Sequence, residues 1–181
     1  PRLVAEVEAA HGPIDILVNN AGIQQRAPVT EFPAEGWDRM IATHLSAPFF
    51  LAQAVARGMA GRGRGKIVNT LSVMAELGRP SIVPYAAAKG GLRMLTRALA
   101  VELAPRNIQV NGVAPGYFRT EMNRALIDDP EFDAWVRRRT PAGRWGEPAE
   151  LAGAAVFLAS AAADYVTGQI LFVDGGLTAS V

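Results

Sequence analysis

Ser72, Tyr85 and Lys89 are the residues of this chain whose types and spacing could do chemistry. Tyr85 and Lys89 stand four apart in Pro84-Tyr-Ala-Ala-Ala-Lys-Gly-Gly, at the head of an Ala/Leu-rich helix, so both side chains share one face. A free tyrosine, with a pKa of about 10, is a poor base at neutral pH. An adjacent ammonium favours the phenolate and lowers that pKa. Ser72 follows the apolar run Lys66–Leu71, which reads as a buried strand, and its hydroxyl could hold a substrate oxygen. Together the three could move a proton on or off an alcohol while something else takes a hydride. No side chain can take a hydride, so a redox cofactor is implied.

The elements that must position these groups alternate helix and strand, the pattern of an α/β protein with a parallel sheet. Leu3–Ala10 reads as helix, stopped by Gly12-Pro13, and Ile14–Asn19 as a short strand. Pro33 to Met59 reads as a long helical stretch with a bend expected at Pro48. Lys66–Leu71, Ile108–Val113 and Ile170–Val173 are the other strands, and Ile82–Pro105 holds the Tyr/Lys helix. Phe118–Arg138 is mostly helical with a break at Asp128-Asp129-Pro130, and Glu147–Ser160 is a further helix. The strands end in polar or glycine-bearing turns. In an open parallel sheet ligands bind beyond those ends.

The totals narrow the class. A length of 181 residues, half of them hydrophobic, with a formal net charge of +1 and no cysteine, fits one domain spanning 1–181. It gives no electrostatic case for nucleic acid or membrane binding. It excludes disulfides and cysteine-ligated metals, and is compatible with a reducing, cytoplasmic compartment. No apolar run is long enough to span a bilayer. His11 and His44 are too far apart and too unsupported to suggest a metal. Arg137-Arg138-Arg139 reads as a solvated helix end. The run Gly61–Lys66 fails as a phosphate loop because Ile67 follows the lysine and the segment enters a strand.

Asn19-Asn20-Ala21-Gly22, Ser72, Tyr85-x-x-x-Lys89, Asn111, Pro115-Gly116 and Val173-Asp174-Gly175-Gly176, in this order, resemble the short-chain dehydrogenase/reductase family. The runs Asn19–Arg26, Glu76–Arg79, Asn107–Met122 and Arg144–Pro148 are similar to its gluconate 5-dehydrogenase (5-ketogluconate reductase) branch. The resemblance implies a Rossmann-like doubly wound parallel sheet, NAD or NADP as cofactor, and a homo-oligomer, dimer or tetramer. The family's first strands and glycine-rich loop are absent from this chain, and about 70–80 residues would supply them.

The resemblance also implies roles. Tyr85 is the acid/base, Lys89 lowers its pKa and bonds the cofactor's ribose, and Ser72 holds the substrate oxygen. Asn19, Ala21 and Gly22 approach the cofactor's adenosine end. Pro115, Gly116 and Thr120 contact its nicotinamide. Arg26 pairs with a substrate carboxylate, for which a guanidinium is well shaped. Glu76 and Arg79 contact substrate hydroxyls or shape the loop. His44 stands where the family carries an asparagine linked to a proton relay. The reaction implied interconverts a secondary alcohol and a ketone, foremost D-gluconate and 5-keto-D-gluconate. A 3-oxoacyl-carrier-protein reductase, or another sugar or polyol dehydrogenase, is the alternative, and a fragment unable to hold cofactor is a third reading.

Overall fold

The computed structural model describes residues 2–181. Four parallel strands, β1 (Ile16–Asn19), β2 (Gly65–Thr70), β3 (Ile108–Pro115) and β4 (Ile170–Val173), lie side by side in sequence order. Parallel neighbours need a crossover. The crossovers carry α2 (Ala34–Ile41) and α3 (Ala47–Arg62), then α4 (Val83–Leu103), then α5 (Arg124–Ile127), α6 (Pro130–Arg139) and α7 (Ala149–Ala159), while α1 (Arg2–His11) precedes β1.

Strand alternation divides the core. Ile67, Ile108 and Val110 point to one face and meet Ala52, Val55 and Met59 of α3 and Ala100 of α4. Val68 and Val113 point to the other and meet Leu158 of α7. Strands covered on both faces read as continuous apolar runs, which is why Lys66–Leu71 and Ile108–Val113 stand out in the sequence. The strands pair in a staggered parallel register, with Asn19 opposite Asn69 and Asn69 opposite Gly112, so their carboxyl ends converge on one rim.

Two polar struts fix that rim from inside. Asn69 accepts a hydrogen bond from Asn19 at 2.8 Å and donates to Thr96 of α4 at 2.9 Å. Asn111 donates to the Val166 carbonyl at 2.7 Å and accepts from the Gln169 amide at 3.0 Å. Buried amides paired this way lock strand register, although Asn19 Oδ1 is buried without a partner.

The break in the long helical stretch comes immediately before Pro48. Residues Ala42–Ser46 form a π-helical turn between α2 and α3, with Pro48 in the first turn of α3; a proline lacks the N–H and crowds the carbonyl four residues back, which here is His44 inside the π turn. The π turn contains His44, and such turns are common at functional sites. The Asp128-Asp129-Pro130 break is present. Asp129 caps α6 by accepting from the amides of Glu131 and Phe132. No helix among the described residues is long and apolar enough to cross a membrane.

Candidate active site

Beyond the carboxyl ends of the strands lies a cavity of about 420 Å³, within the range of small-molecule sites. Ser72, Tyr85 and Lys89 all line it. Ser72 follows β2 and caps a short 3₁₀ turn, its Oγ accepting from the Met74 amide at 3.1 Å. Tyr85 and Lys89 occupy successive turns at the start of α4, as their spacing predicts. Lys89 is buried, and its Nζ donates to the Thr70 carbonyl at 2.6 Å. That contact pins the first turns of α4 to the end of β2.

Burial dominates the electrostatics of the set. Burial pushes the Tyr85 pKa up; the Ser72 hydrogen bond and then the Arg26 charge pull it back. The Lys89 ammonium donates to the Thr70 carbonyl and stands 5.6 Å from the centroid of the Tyr85 ring. Burial lowers the pKa of Lys89 itself to about 8.

His44 is buried beside them. Its ring meets Tyr85 edge-on, centroids 5.1 Å apart at 85°. Its Nε2 lies 2.8 Å from the Ile23 carbonyl and 3.2 Å from the Ile23 amide, while Nδ1 is buried without a partner. The shorter contact assigns the proton to Nε2. Burial first, and then the Lys89 charge, lower its pKa to about 4, so the ring is neutral at physiological pH. It fastens the loop after β1 to the π turn. A side chain on Gly22 would come within 3.2 Å of its Cε1, so the small-residue turn is what lets this loop close on the histidine.

The remaining predicted residues divide. Gly22, Arg26, Pro115, Gly116 and Thr120 line the cavity. At Gly116 a β-carbon would fall 2.8 Å from Asp174, so the ends of β3 and β4 can approach only through glycine. Asn19 turns its side chain inward to Asn69, and Ala21 is exposed outside the cavity wall; neither side chain joins the site. Glu76 is committed to an ion pair with Arg93 at 2.5 Å.

Four lining groups escape the sequence reading in whole or part. Asn20 accepts from the Thr70 hydroxyl at 3.1 Å. The Thr70 carbonyl holds Lys89. Arg79 lines the cavity with its guanidinium 4.6 Å over the Phe132 ring. Tyr117 lines it too, edge-on to Phe132, Trp135 and Trp145. The run Pro115-Gly116-Tyr117-Phe118 holds a faint signal for Tyr117, since a strand-ending turn carries its next side chains to the rim.

Residues 1–178 match the family described as enoyl-(acyl carrier protein) reductase. The chain is 57% identical over 178 residues to the 5-keto-D-gluconate 5-reductase of Escherichia coli K12, and 56% identical over 178 residues to the gluconate 5-dehydrogenase of Gluconobacter oxydans 621H. Each alignment covers 98% of this chain and 70% of the relative. The chain belongs to the short-chain dehydrogenase/reductase family. Among solved members of the family, a gluconate 5-dehydrogenase from Burkholderia cenocepacia J2315, in complex with NADP and tartrate, superimposes with a TM-score of 0.96 at 58% identity, over 98% of this chain and 70% of that one. The family resemblance read from the motifs, and the α/β parallel-sheet architecture it implied, are both shown.

Proposed function

We propose that this protein is an NAD(P)-dependent oxidoreductase that interconverts D-gluconate and 5-keto-D-gluconate, with Ser72, Tyr85 and Lys89 as its catalytic residues. One observation carries the choice of substrate. The cavity that gathers these three residues is also lined by Arg26 and Arg79, and among the described residues no aspartate or glutamate lines it. A cationic wall of this kind suits an anionic substrate. The names of the relatives point the same way.

The residues present fit a nicotinamide nucleotide. Lys89 has three N–H donors and gives one to Thr70, leaving two for a ribose. Pro115, Gly116 and Thr120 line the same cavity, and the Gly22 turn approaches it without a side chain. A bound nicotinamide nucleotide supplies the hydride, and the NADP held by the Burkholderia structure supports the phosphorylated form.

The chain's own residues supply the rest. Burial keeps Tyr85 protonated, the form needed to give a proton to the carbonyl oxygen of a ketone as that oxygen gains charge. The Ser72 hydroxyl donates to the same oxygen and stabilises the charge. In the reverse direction Tyr85 must first lose its proton, which the Ser72 hydrogen bond and the charge of Arg26 assist. His44 takes no proton in this scheme. It is neutral and holds Ile23, and with it the start of the Arg26 loop, against the π turn.

The reading carries with it a cytoplasmic setting and a homo-oligomer. Phe49 and Phe50 on α3, with Met94 and Val101 on α4, are exposed, and that supports the second. The test is consumption of NADPH and NADH by the full-length protein with 5-keto-D-gluconate, beside a 3-oxoacyl thioester. Preference for the keto acid is the expected result, and preference for the thioester overturns it.

A further inference from the structure

The wall of the cavity away from the serine–tyrosine–lysine set holds hydrogen-bond donors with nothing to donate to. The Arg26 Nε and the Tyr117 hydroxyl are both buried without a partner. Arg79 lines the same cavity. After burial, its charge is the main cause holding the Arg26 pKa below its ordinary value. Two guanidiniums thus line one cavity that, among the described residues, no carboxylate lines. The nearby acids are taken: Glu76 by Arg93, Glu121 by Arg124, and Asp133 by Arg137 and Trp145.

The two arginines come from separate loops that the backbone ties together. The Ala27 amide, next to Arg26, donates to the Ser81 carbonyl at 3.1 Å. Ser81, two residues after Arg79, has a φ of +68°, a left-handed conformation that is costly for a non-glycine residue and tends to persist where function requires it. Arg79 is held on its other side by the face of Phe132 on α6, a contact typical of arginine.

We propose that Arg26, Arg79 and the Tyr117 hydroxyl form a single carboxylate-binding subsite, with Phe132 as the positioning residue for Arg79. The proposal deepens the sugar-acid reading and rests on it for the substrate. An ionised carboxylate is acceptor-only and offers two oxygens, so it can accept from both guanidiniums and from the tyrosine hydroxyl at once, and its charge removes the repulsion between the guanidiniums. A neutral hydroxyl does neither. The subsite therefore selects hydroxy acids over the corresponding uncharged sugars, and Arg79 is as much a part of that selection as Arg26.

The experiment compares wild type, Arg79→Met, Arg79→Lys, Tyr117→Phe and Phe132→Leu in the full-length protein with NADPH bound. Two readouts are taken: KM and kcat for 5-keto-D-gluconate, and quenching of tryptophan fluorescence on titration with D-gluconate or with uncharged sorbitol. Arg79→Met is expected to raise KM and weaken gluconate binding about 10- to 100-fold, the scale of a lost charge-assisted contact, with sorbitol binding changed less than about twofold. Arg79→Lys should recover part of the loss. Phe132→Leu and Tyr117→Phe should lose about 3- to 10-fold, again for the acid alone. Sorbitol binding too weak to measure beside saturable gluconate binding also supports the subsite. Equal losses for acid and polyol, or none for the acid, overturn it. Should Arg79→Met fail to fold, Arg79→Lys and Tyr117→Phe decide between the same two outcomes. If wild type turns over no keto acid yet Arg79→Met still weakens gluconate binding selectively, the subsite stands and the reaction assignment falls.

Discussion

The two walls of the cavity are built on different terms. On one, Lys89 is tied to Thr70, Ser72 accepts from Met74, and Asn20 holds Thr70. These polar groups have partners within the chain. On the other, Arg26 and Tyr117 keep buried donors unpaired and Arg79 adds a second like charge. A wall that does chemistry must be preorganised before the substrate arrives. A wall that selects the substrate can leave its donors open, because the ligand completes the set. Substitutions on the first should therefore act on kcat, and substitutions on the second on KM.

The largest expected effect falls on the chemical wall. Tyr85→Phe removes the hydroxyl placed to give the proton and should lower kcat for reduction about 10²- to 10⁴-fold, the usual worth of a positioned acid, with gluconate binding by fluorescence nearly unchanged. If KM moved and kcat did not, Tyr85 would belong with the selecting wall and the contrast would fail. Arg26→Met should do the opposite: KM for 5-keto-D-gluconate up about 10- to 100-fold, with a smaller change in kcat. That smaller change has a stated source, since Arg26 is one of the two groups pulling down the Tyr85 pKa. Steady-state kinetics of the two variants side by side measure the contrast directly.

The difference between the walls also explains what the sequence reveals. The chemical wall is local. Tyr85 and Lys89 are one helical turn apart, Ser72 trails a strand visible from its apolar run, and the ends of Lys66–Leu71 and Ile108–Val113 mark the rim. Spacing and periodicity suffice for such a site. The selecting wall joins residues 26, 79 and 117 from three loops, through a backbone bond from Ala27 to Ser81 and a ring on α6. No periodicity links these positions. Arg26 is legible only through a family resemblance, and Tyr117 has no more than the turn before it. Charge tells least of all: a near-neutral total conceals a cavity whose ionic lining is wholly cationic. Sequence spacing likewise places Lys89 beside Tyr85 but does not reveal its hydrogen bond to the Thr70 carbonyl.

The pH profile sharpens the same contrast. Lys89 titrates at about 8, so its charge is present below that pH and is lost as pH rises through it. If that charge is needed to hold the cofactor, kcat/KM for reduction should be level near pH 7 and fall about tenfold per unit well above pH 8. Tyr85, held up by burial, should make the opposite oxidation rise with pH up to about 8 and level off above it, where loss of the Lys89 charge offsets further ionisation of the tyrosine. An Arg26→Met enzyme should show the same breaks at lower activity. A break that moved with Arg26→Met and not with Lys89→Arg would assign the titration to the wrong wall.

The smallest expected effect concerns His44, which belongs to neither wall but joins them, with its edge on Tyr85 and its Nε2 on Ile23 at the head of the Arg26 loop. Its pKa of about 4, against an ordinary 6.5, means that the unfolded chain takes up a proton that the folded chain refuses between those values. Stability should then fall as pH drops from about 6.5 to about 4, and be unaffected above that range. After allowance for solvent screening the loss is on the order of 2 kcal/mol. His44→Asn should flatten that part of the curve, because an amide does not titrate. Thermal melts of both proteins from pH 4 to 8 measure it. At neutral pH the asparagine is smaller and no longer fills the space against the Gly22 turn, so activity there reports on position alone. A rise in KM with kcat intact would show that His44 holds the selecting loop. A fall in kcat with KM intact would show that its contact with Tyr85 matters more. An effect on both, in equal measure, is what its place between the two walls predicts.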